Sequence, residues 1–200
     1  MRNKCDIRQV NQTKIFDFDN TLYRGESAVD FALFMIRSNR KIIFWLPKIF
    51  WNLLKYKLCL VKKDNMEAQI DRFLQSCLPE PENLRRLVRQ FWKLHIRKLD
   101  SGMISRINPE DVIITAGPAF LLLPIRKQLG TANLLCSEVD LSRKRVLYLN
   151  FSDHKVQRYR ERFGQTPVKA FYTDSYNDGA MMQIAEKVYL VQKGNVRRIR

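Results

Sequence analysis

The sequence is 200 residues long and 46% apolar, which is enough to build the core of one domain, or of one domain that carries a sizeable insertion. Its 36 Lys and Arg residues outnumber its 20 Asp and Glu residues, and the formal net charge of +16 indicates an anionic partner: a phosphorylated substrate, an acidic membrane surface or nucleic acid. The longest apolar segment, residues 42–61, contains Pro47, Lys48, Lys55 and Lys57, which argues against a membrane-spanning helix.

The four cysteines are widely spaced, and neither a Cys-x-x-Cys pair nor a histidine at metal-site spacing accompanies them: Cys5, Cys59, Cys77 and Cys136. This usage is typical of reduced thiols in a cytosolic protein. Residues 1–10 are polar and lack the apolar run of a signal peptide. We therefore expect a cytoplasmic protein.

Residues Val10–Asp17 are predicted to form the first strand, and two carboxylates, Asp17 and Asp19, stand at its carboxyl end. Side chains at i and i+2 of a strand point the same way, but Asp, Asn and Thr favour turns, so we expect the strand to end near Asp17. Two carboxylates this close repel each other. A cation, a shared proton or solvent must compensate them.

A helical pattern begins at Glu26. Apolar residues recur at helical spacing within Val29–Ile36, Met66–Cys77 and Leu84–Leu94, and the prolines before the last of these segments are typical of a helix start. The pattern predicts an all-helical insertion over residues 24–105. The core would then consist of residues 1–23 and 106–200.

Strand and helix patterns alternate after residue 108. The predicted strands are Val112–Ile114, Ala132–Cys136, Val146–Leu149, Val168–Tyr172 and Val188–Val191, and the predicted helices are Phe120–Leu129, Val156–Phe163 and Gly179–Glu186. The polar segment 141–145 between two of the strands fits a hairpin or an excursion. The alternation favours an α/β fold with a Rossmann-like, doubly wound parallel sheet.

Three of the predicted strands end in polar side chains: Asp17 with Asp19, Thr115, and Asp174, which Asp178 follows four residues later. Ligands of such sheets bind outside the carboxyl ends of the strands, so four carboxylates are expected at one edge. A divalent cation would relieve their repulsion, and an all-oxygen ligand set favours Mg²⁺.

Two further features at this edge suit an anion. Lys155 opens a predicted helix, and the turn Thr115-Ala116-Gly117 offers a hydroxyl and backbone N–H groups. The edge therefore combines a cation site with an anion site.

Four short motifs follow one another along the chain: Asp17-Phe18-Asp19-Asn20-Thr21, an apolar run ending in Thr115, Lys155, and Asp174-Ser175-Tyr176-Asn177-Asp178. In this order they resemble the four sequence motifs of the haloacid dehalogenase superfamily of phosphatases. The helical insertion directly after the first motif resembles the cap of the phosphoserine-phosphatase-like branch. The resemblance spans the whole core and implies a phosphoric monoester hydrolase.

The resemblance also implies roles for individual residues. Asp17 would be the nucleophile that forms an aspartyl-phosphate, and Asp19 would be the general acid and base. The implied metal ligands of Mg²⁺ are Asp17, the main-chain carbonyl of Asp19, Asp174, and Asp178 directly or through water. The implied substrate-binding residues are Thr115, Ala116, Gly117, Lys155, Asn177 and, where phosphoserine phosphatases place a substrate-contacting glutamate, Glu26.

The predicted insertion contains a basic and aromatic segment, residues 31–63, that lacks acidic residues. Its cations and aromatic side chains are interleaved: Arg37, Arg40, Lys41, Lys48, Lys55, Lys57, Lys62 and Lys63 with Phe34, Phe44, Trp45, Phe50, Trp51 and Tyr56. One interpretation is a helical bundle that buries its aromatics and solvates its lysines. The other is an amphipathic surface for peripheral contact with an anionic membrane, or for a lipid-like phosphate.

Three functions stay open on this evidence. The first is a Mg²⁺-dependent phosphatase for a small phosphorylated substrate, and the second is the same chemistry on a membrane-derived or lipid phosphate. The third is a catalytically silent module that binds an anionic partner, which the complete set of motifs disfavours. Nucleic acid is disfavoured as the partner because the sequence contains no recognised nucleic-acid-binding module.

Overall fold

The computed structural model describes residues 13–48, 51 and 64–200. Several residues singled out from the sequence lie outside these ranges: Cys5, Val10, Phe50, Lys55, Tyr56, Lys57, Cys59, Lys62 and Lys63. Both cysteines within the described ranges, Cys77 and Cys136, are buried free thiols. In these ranges, no helix combines the length and the apolar character that crossing a bilayer requires.

Seven strands form one sheet at the centre of the fold. They are β1 Thr13–Phe16, β2 Val112–Pro118, β3 Asn133–Asp140, β4 Arg145–Tyr148, β5 Val168–Thr173, β6 Ala185–Gln192 and β7 Asn195–Arg198. Their spatial order is β4-β3-β2-β1-β5-β6-β7, so β1 lies at the centre of the sheet. The five inner strands run parallel, which confirms the predicted fold class.

Both edges of the sheet are antiparallel hairpins. Strand β4 turns back on β3, so the polar segment 141–145 is a hairpin rather than an excursion. Strand β7 turns back on β6 through Gly194, which has a φ of +82°. This last strand was not predicted, because its sequence, Asn195–Arg198, is too polar and too short to show an apolar alternation.

The helices of the described residues include a counterpart of each of the six predicted helices, with different ends, and one helix, Ser101–Ile104, that was not predicted. They are α1 Ser27–Met35, α2 Asp64–Cys77, α3 Pro81–His95, α4 Ser101–Ile104, α5 Ala119–Leu122, α6 Asp153–Phe163 and α7 Gly179–Ile184, with short 3₁₀ helices between some of them. The helix predicted over Phe120–Leu129 is wrong beyond its first turn. Pro124 lacks an N–H donor and its ring crowds the carbonyl four residues earlier, so the chain continues as a 3₁₀ helix, Leu123–Gln128.

Helices cover both faces of the sheet because successive strand residues point to opposite sides. Phe16 packs in the larger of the two apolar clusters, together with residues of α1, α3 and α5. Its neighbour Ile15 packs in the smaller cluster, together with Tyr159 of α6 and Met181 of α7. This arrangement is the doubly wound layering that the alternation of strands and helices predicts.

An aromatic cluster joins the predicted insertion to the sheet. Trp92 of α3 packs edge-on against Phe18 and Tyr23, which directly follow β1. The indole N–H of Trp92 also donates a buried hydrogen bond of 2.6 Å to the carbonyl of Leu121 in α5. Helix α3 is therefore fixed to the same core as the strands, while the boundaries predicted for the insertion, residues 24–105, stay a prediction.

We predict that Trp92→Phe lowers the free energy of unfolding by about 1–3 kcal/mol, because the Leu121 carbonyl loses its buried donor and part of the ring volume is lost. Urea unfolding followed by circular dichroism measures the change. The matched control is Trp51→Phe at a tryptophan that is 57% exposed, where we expect a change within about 0.5 kcal/mol. Equal losses in the two variants would contradict this assignment of the Trp92 hydrogen bond.

Candidate active site

Asp17 stands one residue beyond β1, at the centre of the carboxyl edge of the sheet. Its backbone N–H donates a 2.8 Å hydrogen bond to the carbonyl of Tyr172 in β5, so the parallel pairing continues through Asp17 itself. The residue is buried. The carboxylate is therefore held by the sheet rather than by a mobile loop, as a reacting group requires.

Lys155 joins two of the predicted carboxylates. It lies in the first turn of α6, its side chain is 3% exposed, and its ammonium lies 2.8 Å from Asp17 Oδ1 and 2.7 Å from Asp178 Oδ1. The hydroxyl of Thr173, the last residue of β5, donates to Asp178 Oδ2 at 3.0 Å. Three residues that are up to 161 positions apart in the sequence thus form one buried ion cluster at the end of the sheet.

The ion cluster contains two carboxylates but one ammonium, so its negative charge is not fully balanced. Burial raises the pKa of Asp17 well above its usual range, Lys155 opposes this rise, and the charges of Asp178 and Asp174 add to it. Burial also raises the pKa of Asp174 to about 6, helped by the charges of Glu26 and Asp178. These carboxylates therefore face one another closely enough to interact, as the strand ends predict.

Asp19 leaves the strand direction at a tight turn. The carbonyl of Phe18 accepts hydrogen bonds from the N–H groups of Leu22 and Tyr23, and Asn20 takes a left-handed conformation with a φ of 56°. Asparagine adopts this conformation at lower cost than most residues, which explains its place here. The turn expected after Asp17 is confirmed.

The Asp19 carboxylate accepts a 2.7 Å hydrogen bond from the backbone N–H of Ser27, the first residue of α1. Burial raises the pKa of Asp19 to about 7 and the nearby Glu26 charge contributes, while the Ser27 N–H opposes the rise. Asp17 and Asp19 therefore have different partners: a buried ammonium for the first and a helix N-terminus for the second. Only the first has a full positive charge beside it.

Glu26 lies next to these acids at the start of α1. Its Oε1 accepts a 2.7 Å hydrogen bond from the side-chain amide of Asn20, which fixes it across the turn. Its charge raises the pKa values of both Asp19 and Asp174. The residue is part of the electrostatic environment of the site.

The segment Thr115-Ala116-Gly117 lies within β2 rather than after it, but pairing with β3 is irregular between Ile114 and Pro118. The hydroxyl of Thr115 accepts a 2.9 Å hydrogen bond from the Gly117 N–H. A Cβ at position 117 would lie 3.2 Å from that hydroxyl oxygen, so a side chain here would require Thr115 to shift. The backbone therefore bends here without leaving the sheet.

Two buried polar residues that the sequence did not reveal hold this bend in place. Asn150 donates from its side-chain amide to the carbonyls of Thr115 and Leu135. Ser137 donates to the carbonyl of Ala116 at 2.7 Å and accepts from the Asn150 N–H. The sequence signal that could have identified such a residue is the polar Asn150 directly after Leu149, the apolar end of a predicted strand.

Asn177 lies in the 3₁₀ helix Tyr176–Asp178, where its backbone N–H donates to the hydroxyl of Ser175. The segment places it between Tyr176, which is exposed, and Asp178 in the ion cluster. Its predicted role at the phosphate stays a prediction.

Most of the predicted site residues line one cavity of about 350 Å³: Asp17, Asp19, Glu26, Thr115, Ala116, Lys155 and Asp174. Gly117, Asn177 and Asp178 do not line it, although Asp178 contacts Lys155, which does. Within the described part of the chain, no three His, Cys, Asp or Glu side chains are grouped as ligands of one metal ion. The metal ligands that the resemblance implies, which include the main-chain carbonyl of Asp19, stay a prediction.

Comparison with known proteins agrees with this geometry. The family model described as haloacid dehalogenase-like hydrolase matches residues 15–183, which include the acids of β1, the Thr115 bend, Lys155 and the Asp174 segment. The chain belongs to the haloacid dehalogenase-like hydrolases. A comparison with curated protein sequences gives no significant match.

Solved structures of several other proteins have the same fold. A protein of unknown function from Bordetella pertussis Tohama I has a TM-score of 0.72 at 19% identity, with 88% of each chain covered. A phosphoserine phosphohydrolase-like protein from Francisella tularensis has a TM-score of 0.64 at 17% identity, covering 88% of this chain and 85% of that one. A phosphoserine phosphatase solved as a phospho-aspartyl intermediate analogue has a TM-score of 0.54 at 14% identity, covering 88% and 85%.

We predict that the hydrolase becomes less stable between about pH 4 and pH 7 when EDTA keeps it free of metal. The folded-state pKa values of Asp19 and Asp174, about 7 and about 6, lie above the unfolded value, so ionisation in this window costs folded-state stability.

Lys155→Met should make the free energy of unfolding fall more steeply as the pH rises. We expect this variant to be less stable than the wild type by about 3–5 kcal/mol at pH 8 and by less at pH 5, because two carboxylates lose their cation. Urea unfolding at the two pH values measures it.

The matched control for Lys155→Met is Lys169→Met, which changes an exposed lysine of β5. Its loss should be small and independent of pH. A Lys155→Met loss of the same size at pH 5 and pH 8 would contradict the proposed charge balance of the cluster.

Proposed function

We propose that this hydrolase is a Mg²⁺-dependent phosphatase that cleaves a phosphomonoester through an aspartyl-phosphate on Asp17. The observation that carries the proposal is that two acids lining a single cavity have different partners. Asp17 contacts the ammonium of Lys155, and Asp19 accepts a hydrogen bond from the N-terminus of α1. An acid beside an ammonium that favours its ionised form, next to an acid whose pKa of about 7 lets it bind a proton near neutral pH, is the pair that two-step phosphoryl transfer requires.

Asp17 is the proposed nucleophile. Lys155 donates to its Oδ1 and so favours the ionised form, which is the form that attacks phosphorus in line with the leaving oxygen. Attack forms a bond between a carboxylate oxygen and phosphorus while the bond to the leaving oxygen breaks. Because Lys155 also binds Asp178, the ammonium stays fixed while the charge on Asp17 changes.

Asp19 is the proposed acid and base. Its pKa of about 7 lets it carry a proton to the leaving alkoxide at neutral pH and then accept one from the water that hydrolyses the aspartyl-phosphate. The hydrogen bond from Ser27 to Oδ1 fixes the carboxyl group in orientation. We further propose that the phosphoryl oxygens are bound by the Thr115 hydroxyl, the Ala116-Gly117 backbone, Lys155 and Asn177.

The residues present suit Mg²⁺ as the cofactor. Asp17 and Asp174 both line the cavity, the charge of Asp174 raises the pKa of Asp17, and oxygen ligands of this kind favour a small hard cation. We propose that their carboxylates and the main-chain carbonyl of Asp19 hold it, while Asp178 supports Asp17 through Lys155 and reaches the metal directly or through water. When bound, Mg²⁺ would neutralise charge on the phosphoryl group during transfer.

We predict that Asp17→Asn lowers the hydrolysis of p-nitrophenyl phosphate by a factor on the order of 10³ or more, because an amide is not a nucleophile. Asp19→Asn should lose about 10²–10⁴-fold through the missing proton transfer. Release of p-nitrophenol measures both. Asp153→Asn, the same change at an exposed acid in the first turn of α6, is the control and should keep full activity. Full activity in Asp17→Asn would exclude the mechanism.

We predict that EDTA abolishes turnover, that Mg²⁺ restores it, and that Asp174→Asn separates metal binding from stability. Without metal at pH 8, Asp174→Asn should raise the free energy of unfolding by about 1–3 kcal/mol, because it removes a carboxylate that the folded state holds at a raised pKa. The same variant should lose the increase in melting temperature that Mg²⁺ gives the wild type. A variant that Mg²⁺ stabilises as strongly as the wild type would exclude Asp174 as a ligand.

Peripheral membrane contact is a second proposed property, and the exposed apolar side chains of the basic and aromatic segment favour it. Phe44 is 85% exposed, Ile43 is 48% exposed, and the exposed cations Arg40 and Lys41 lie two to four residues earlier in the chain. Lys48 lies over the Trp45 ring at 5.4 Å. An apolar patch beside cations suits the surface of an anionic bilayer.

We predict that the protein sediments with phosphatidylglycerol vesicles and much less with phosphatidylcholine vesicles. Ile43→Ser with Phe44→Ser should lower the sedimented fraction several-fold, since two exposed apolar groups are lost. The control is Leu123→Ser, at a leucine that is 52% exposed in another part of the fold. A sedimented fraction that does not depend on anionic lipid, or that decreases equally in both variants, would exclude this surface as the membrane contact.

A catalytically silent binding module would retain the basic surface without needing the acids. Metal-dependent turnover that is lost in Asp19→Ala would exclude that alternative.

A further inference from the structure

The cavity that begins at the catalytic acids continues along an apolar wall. Beyond the acids it is lined by side chains from α1, α2 and the β3–β4 hairpin, among them Val29, Met35, Ile70, Phe73, Val139 and Val146. Its volume of about 350 Å³ lies in the range of ligand pockets rather than of packing defects. A phosphoryl group at the acids would therefore point its leaving group into apolar surroundings.

The charged groups along this path are few. Of the described residues that line the cavity, those with charged side chains other than Asp17, Asp19, Asp174 and Lys155 are Glu26 and Lys48. Glu26 is already engaged by Asn20, and Lys48 lies beside the Trp45 ring. An amino-acid leaving group, which carries both an ammonium and a carboxylate, would have to be desolvated against apolar side chains at high cost.

The apolar wall is fixed by hydrogen bonds rather than left open. The backbone N–H of Val146 in β4 donates a 2.7 Å hydrogen bond to the Asp71 carboxylate in α2, which ties this helix to the hairpin. Val146 is paired with Val139 across the hairpin, and both side chains face the cavity. The helix and the hairpin that line this part of the cavity are therefore held together.

We propose that the substrate is a monophosphate whose leaving group is an apolar chain. This inference rests on the proposed phosphatase activity. In the first step the P–O bond to the chain breaks as the bond from Asp17 to phosphorus forms, and the alcohol leaves with a proton from Asp19. In the second step water supplies the oxygen that releases inorganic phosphate, and Asp19 takes back a proton.

The test is a series of linear alkyl phosphates from ethyl to octyl, kept below their critical micelle concentrations, with release of inorganic phosphate as the readout. We expect kcat/KM to rise about three- to four-fold per added methylene, because each one leaves water for the apolar wall. Phosphoserine should be a poorer substrate than butyl phosphate. A kcat/KM that stays flat along the series, with p-nitrophenyl phosphate still hydrolysed, would overturn the inference and leave the phosphatase proposal standing.

Val146→Thr places a hydroxyl on the wall at nearly constant volume, and Leu147→Thr makes the matched change on the opposite, exposed face of β4, where Leu147 is 62% exposed. We expect Val146→Thr to lower kcat/KM for octyl phosphate about three- to ten-fold and to leave ethyl phosphate unchanged. Leu147→Thr should change neither. Equal effects of Val146→Thr on both substrates would overturn the assignment of the wall.

Calorimetric binding of the same alkyl phosphates to Asp17→Asn separates the two proposals. If the affinity of Asp17→Asn grows with chain length while the wild-type protein with Mg²⁺ hydrolyses none of the esters, the apolar subsite stands and the phosphatase proposal is rejected. A further arm compares octyl phosphate in solution with a monoacyl glycerol phosphate in phosphatidylcholine vesicles. Faster hydrolysis of the vesicle substrate at equal concentration identifies a membrane lipid as the source of the chain, and slower hydrolysis identifies a free amphiphile.

Discussion

The buried ammonium of Lys155, held between the carboxylates of Asp17 and Asp178, is the interaction on which the site depends. A lysine this far from water would cost several kcal/mol without partners, and two buried carboxylates without a cation would cost more. The three residues come from different elements: Asp17 from the end of β1, Lys155 from the start of α6 and Asp178 from the 3₁₀ helix after β5. The cluster is therefore formed only when the sheet has its native strand order.

The same constraint gives two chemically similar acids different properties. Asp17 has a full positive charge beside it, whereas Asp19 has a backbone N–H and the negative charge of Glu26. Burial raises both pKa values, but only for Asp17 does an adjacent ammonium oppose the rise. The proposed division into nucleophile and proton carrier rests on these different surroundings, and the proposed apolar leaving group rests on the wall beyond them.

The acids could be predicted from the sequence because parallel strands bring their carboxyl ends to one edge, so that residues 17, 115 and 174 meet whatever lies between them. The hydrogen-bond partners that hold these residues in place could not be predicted from the sequence. Asn150 and Ser137 hold the Thr115 bend through single hydrogen bonds that leave no periodic pattern. The apolar cavity could not be predicted either, because it depends on how α2 packs against the β3–β4 hairpin, and helical periodicity does not encode that packing.

In the proposed mechanism Asp17 carries the phosphoryl group between the two steps, and chemical trapping of the phosphorylated residue tests this role. Protein turning over p-nitrophenyl phosphate with Mg²⁺ would be acid-quenched, treated with borohydride, digested and sequenced by mass spectrometry. An acyl phosphate is reduced where a free carboxylate is not, so the account predicts homoserine at position 17 and an unchanged Asp19. Reduction at Asp19 instead, or no reduced residue in protein quenched during a measured burst of p-nitrophenol, would contradict it.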